Sequence, residues 1–65
     1  MNNTPDNNKV DYAYGAIIND ATDSGEPMSA ELLIGEACRL ISTYPHNHKY
    51  VSAALHKALQ RFRFL

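Results

Sequence analysis

The run from Lys49 to Leu65 constrains this chain more than any other. Val51, Leu55, Ala58, Phe62 and Leu65 are four, three, four and three residues apart. That spacing draws one line down an α-helix, and Ala54 and Leu59 widen it into a stripe. The opposite side carries Lys49, His56, Lys57, Gln60, Arg61 and Arg63, with no acid among them. Such a helix needs a core on one side and shows solvent a cationic surface on the other. Phe64 stands off the stripe beside Lys57 and Arg61, and an aromatic among bases suits contact with another chain.

The size of the chain says what that stripe can pack against. Sixty-five residues allow one domain, and a chain this short buries only about 60% of its unfolded surface. Small domains usually add disulfides, a metal or a second subunit. Cys38 is the single cysteine, so no disulfide closes within the chain. It falls on an apolar helical face, where a free thiol is expected to be a small buried hydrophobe. A second subunit or a partner protein is therefore the expected supplement. No apolar run is long enough to span a bilayer, and the opening Met-Asn-Asn-Thr-Pro-Asp-Asn-Asn lacks the parts of a signal peptide. The expectation is a soluble cytoplasmic protein.

The net charge of −1 hides a division. Residues 1–36 hold seven acids against Lys9 alone, a net −6, and residues 37–65 hold five bases and no acid, a net +5. Halves of opposite sign attract each other within one chain or across a dimer, or leave the basic half free for an anion.

The chain divides into a tail and three helical segments. Residues 1–8, mostly Asn, have no apolar surface to bury and read as a disordered tail ahead of one helical domain, 9–65. Val10, Ala13, Tyr14, Ile17, Ile18 and Ala21 place a first helix over 9–21, with Asn8 as its cap and Asp11 near its positive end. Gly15 weakens this helix by about 1 kcal/mol relative to Ala, and Val10–Tyr14 also alternates like a short strand. Thr22–Glu26 has the composition of a turn. Pro27 in the first turn or Ser29 as cap then opens a second helix over 28–43. Its apolar face is Leu33, Ile34, Ala37, Cys38, Leu40, Ile41 and Tyr44, and Glu36 can pair with Arg39. Pro45 ends it. His46-Asn47-His48 is the connection, with Asn47 placed to cap a third helix over 48–63.

So short a connection makes the second and third helices an antiparallel hairpin. The expected fold is all-α, three short helices, dimeric. Leu33, Ile34, Ala37, Ile41, Val51, Leu55, Leu59 and Phe62 are the expected core and dimer contacts, because the two faces are too wide for one partner each.

No arrangement of groups commits the chain to a chemistry. His46, His48 and Lys49 at a helix start oppose the dipole unless an anion answers them; protonating both histidines near pH 6 would add charge there. A solvated loop explains them as well. His46, His48, His56 and Cys38 are the only soft metal ligands, and their spacing is not that of a zinc site. Cys38 in mid-helix is a poor nucleophile. There is no Gly-rich phosphate loop and no carboxylate pair in a cleft, and so small a hairpin leaves little room for a pocket. Neither an enzyme nor a cofactor is expected. The basic third helix can reach nucleic acid through Lys49, Lys57, Arg61 and Arg63, with His56 and Gln60 towards base edges. A pI of 6.2 is low for that task, and the proline-broken connection is unlike a helix-turn-helix.

Ile34-Gly35-Glu36-Ala37, then Asn47-His48-Lys49 and Leu55 with Leu59-Gln60, resembles the small enterobacterial YmgB/AriR-type biofilm and acid-resistance connector proteins over about half the chain. The resemblance implies a helical dimer without enzymatic activity and identifies no functional residue. The reading that results is a small regulator of bacterial or phage type that binds another protein. His46, His48, Lys49, His56, Lys57, Arg61, Arg63 and Phe64 are its candidate partner contacts. The alternatives are a dimeric nucleic-acid binder and a structural assembly subunit.

Overall fold

A computed structural model describes residues 7–63. Three α-helices account for most of them: α1, Asn7–Asp23; α2, Ala30–Thr43; and α3, His48–Arg63, with a 3-10 turn over Pro45–Asn47 before α3. The all-α expectation holds, and no strand occurs among the described residues. Of the expected tail, Asn7 and Asn8 belong to α1, and residues 1–6 lie outside the described residues. Because α1 starts at Asn7, Asn8 does not sit at its boundary. Asp11 falls in the second turn, beyond the free N–H groups, and its carboxylate pairs with Lys57 instead.

Each boundary has a local cause. Gly25 takes φ 76°, which L side chains rarely adopt, and turns the chain after Ser24 N–H donates to the Asp20 carbonyl. Ser29 is extended, and its Oγ accepts from Leu32 N–H at 3.1 Å, a cap worth about 1 kcal/mol. α2 closes with Tyr44 N–H on the Leu40 carbonyl at 2.8 Å. Pro45 then opens the 3-10 turn, in which Asn47 N–H donates to the Tyr44 carbonyl and His48 N–H to that of Pro45. Asn47 is thus part of a helical turn, not a residue in open loop.

The core is built from small side chains. Ala13, Ile17, Ala21, Leu33, Ala37, Val51, Ala54 and Ala58 are buried, and only Ile17 and Leu33 are large among the fully buried residues described. Alanine at the crossings lets helix axes approach closely but removes little apolar area from water. The bulkier Val10, Tyr14, Ile18, Leu32, Leu40, Ile41, Leu55, Leu59 and Phe62 pack around this centre and stay partly exposed.

Ion pairs join the two charged halves. Asp11 Oδ1 meets Lys57 Nζ at 3.2 Å, and Asp20 Oδ2 meets Arg39 Nη2 at 3.0 Å. The expected Glu36–Arg39 pair forms at 2.6 Å. Glu36, by hydrogen bond and then by charge, and after it Asp20, hold the Arg39 guanidinium above its ordinary pKa. Arg39, Lys57 and Asp11 are exposed, so water and salt screen these pairs and they orient the helices more than they stabilise them.

Candidate functional site

α1 fixes the orientation of α3. Lys9 Nζ lies 5.2 Å from the Tyr50 ring centre and Lys57 Nζ lies 5.6 Å from that of Tyr14. The pairs advance together along both helices, so α1 and α3 run in the same sense. At 100° per residue, Leu55 and Leu59 stand about 160° round α3 from Lys57 and therefore away from α1. The same count on α2 starts from Arg39, which meets α1 through Asp20, and sends Ile34 and Ile41 to the flank away from α1.

The residues expected to form the core and dimer contacts separate here. Leu33, Ala37 and Val51 are buried within the chain. Ile41, Leu55, Leu59 and Phe62 are half-buried, and Ile34 is 43% exposed. Cys38 is exposed too, against expectation. The buried face of α2 centres on Leu33 and Ala37, and Cys38 is a further 100° round from Ala37, past the reach of either neighbouring helix.

Among the candidate partner contacts, His46, His48, Lys49, His56, Lys57, Arg61 and Arg63 are all exposed, and Phe64 lies outside the described residues. Lys49, His56, Gln60 and Arg63 share one outer stripe of α3, and no carboxylate among the described residues pairs with them. Lys57 is set apart from this stripe by its attachment to Asp11 and Tyr14. An anion site at His46, His48 and Lys49 would lack two donors, because the N–H groups of Asn47 and His48 already serve the 3-10 turn.

A groove of about 500 Å³ opens between the start of α1, the end of α2 and the start of α3, where little room for a pocket was expected. Ala13 and Val51 lie at its base, with Tyr12, Tyr44, Tyr50 and Lys9 around it. Tyr12 is 83% and Tyr44 55% exposed. Tyr44 was expected on the apolar face of α2, but it follows the last helical residue, where Pro45 turns the chain away. No tyrosine hydroxyl hydrogen-bonds to another described residue. The signal for this groove was four tyrosines in 65 residues; periodicity placed Tyr14 and Tyr44 on stripes and passed over Tyr12.

No three metal-ligating side chains come together among the described residues, and no helix among them is long and apolar enough to cross a membrane. No protein-family model matches the chain, and no curated protein or solved structure is significantly similar to it.

Proposed function

We propose that the chain is a small non-enzymatic protein-binding regulator that works as a dimer of α2–α3 hairpins. One observation carries this reading: Ile34 is exposed, and Ile41, Leu55, Leu59 and Phe62 are only partly buried, around a core made largely of alanine. In an antiparallel hairpin the first four line a single seam on the side away from α1. Covering a half-exposed leucine or isoleucine adds on the order of 1 kcal/mol, a large gain for a domain this small. The seam also has edges of opposite character: Glu31 on α2, and His56 with Arg63 on α3. A two-fold axis brings each edge to its complement. The resemblance to the YmgB/AriR-type connectors points the same way.

The test is mass in solution. Sedimentation velocity of the wild-type chain should show a dimer at micromolar concentration, and Leu59→Glu should give a helical monomer. A monomeric wild type overturns the dimer, and a Leu59→Glu variant that stays dimeric overturns this seam. The second reading, a nucleic-acid binder, draws on the unpaired stripe Lys49, His56, Gln60 and Arg63. It requires binding to duplex DNA with a steep salt slope that Arg63→Glu reduces. Absence of retention at low salt eliminates it.

A further inference from the structure

We infer that the tyrosine groove between α1 and the α2–α3 connection takes an acidic, apolar peptide segment of a partner protein. This rests on the reading of the chain as a protein-binding module but uses a surface apart from the dimer seam. The groove volume of about 500 Å³ is that of a pocket for a few side chains, far short of a docked helix. Tyr12 and Tyr44 hold large aromatic faces in water at its edge, and tyrosines so placed are the residues that anchor protein interfaces. Their hydroxyls, with that of Tyr50, make no hydrogen bond to another described residue and can donate to carboxylate or peptide oxygen.

Charge selects the occupant. Among the described residues no carboxylate lines the groove, and the one formal charge there is Lys9. Lys49, exposed beside it in the chain, adds a second positive charge. The nearest acid in sequence, Asp11, is engaged by Lys57. An apolar side chain between the tyrosines with a carboxylate on each side satisfies both parts of this surface. A nucleic-acid strand would also stack on tyrosine, but it needs a track of cations, and the groove itself holds one.

The experiment is an amide-shift titration of the full ¹⁵N-labelled chain with three probes. These are a blocked peptide alternating leucine and glutamate around one phenylalanine, its glutamine-for-glutamate counterpart, and an oligothymidylate. The acidic peptide should shift Tyr12, Tyr44, Asn47 and Tyr50 in preference to seam residues. Its affinity should fall severalfold with added salt, with the glutamine peptide, with Lys9→Glu and with Tyr12→Ala. Tyr12 is so exposed that its removal should leave the helical spectrum unchanged. No shift, equal binding of the glutamine peptide, or preference for the oligothymidylate overturns the proposal. So do groove shifts that follow chain concentration alone, which would make a second copy the occupant. Sedimentation of the wild-type chain separates the two claims: a dimer whose groove answers to none of the three probes sinks this inference alone.

Discussion

α3 has two flanks, and the chain treats them differently. Towards α1 the contact is closed by paired groups: Lys57 on Asp11 and over Tyr14, Lys9 over Tyr50, with Ala54 and Ala58 buried beneath. On the other flank Leu55, Leu59 and Phe62 are left partly in water, as are Ile34 and Ile41 on α2. On α3 the closed flank uses small residues and surface charges, and the large side chain buried there is Ile17 of α1. The open flank carries the large apolar side chains, and their burial is where a further subunit gains most. In a chain this short, what the fold leaves uncovered says as much about function as what it hides.

The hardest blow to the comparison falls on the shared core. Leu33 is 1% exposed, and Leu33→Ala should cost about 2–5 kcal/mol. A domain of this size holds only about 3–10 kcal/mol in total, so circular dichroism should show loss of helix at room temperature or slightly above. Next comes the open flank. Ile41→Glu should leave the monomer helical while dissociating the proposed dimer; an equal loss of helix and of association would mean that this flank is ordinary core. Gly15 separates stability from association. Nothing lies within 4 Å of a Cβ built there, so Gly15→Ala should stabilise α1 by about 1 kcal/mol, which raises Tm by roughly 4–8 °C. Sedimentation should be unaltered, because α1 lies on the closed side. The smallest effect belongs to the closed flank's ion pair. A double-mutant cycle of Asp11→Asn and Lys57→Met should return below about 1 kcal/mol and shrink with added salt.

Much of this was legible along the chain, and the failures have physical causes. The three helices follow from period and caps: Ser29 and Pro45 act where their chemistry places them. The start of α1 was missed because Asn7 and Asn8 carry no periodic signal, although asparagine is accepted readily in a first helical turn. The Lys57–Asp11 pair spans 46 residues, a separation at which sequence offers only the general attraction of an acidic half for a basic one. Cys38 and Ile34 belong to an apolar arc too wide for the neighbours present. Nothing local states how much of such an arc those neighbours will cover.

Order along the chain alone therefore determined the three helices, the breaks at Ser29 and Pro45 and the sorting of each helix into greasy and charged sides, because hydrogen bonding within a turn and side-chain period are local properties. Tertiary structure decided which part of each greasy side was consumed internally. It also brought Tyr12, Tyr44 and Tyr50, residues from three separate segments, around one groove. That outcome depends on how closely alanine lets the helices approach and at what rotation they meet, and no single segment holds that information.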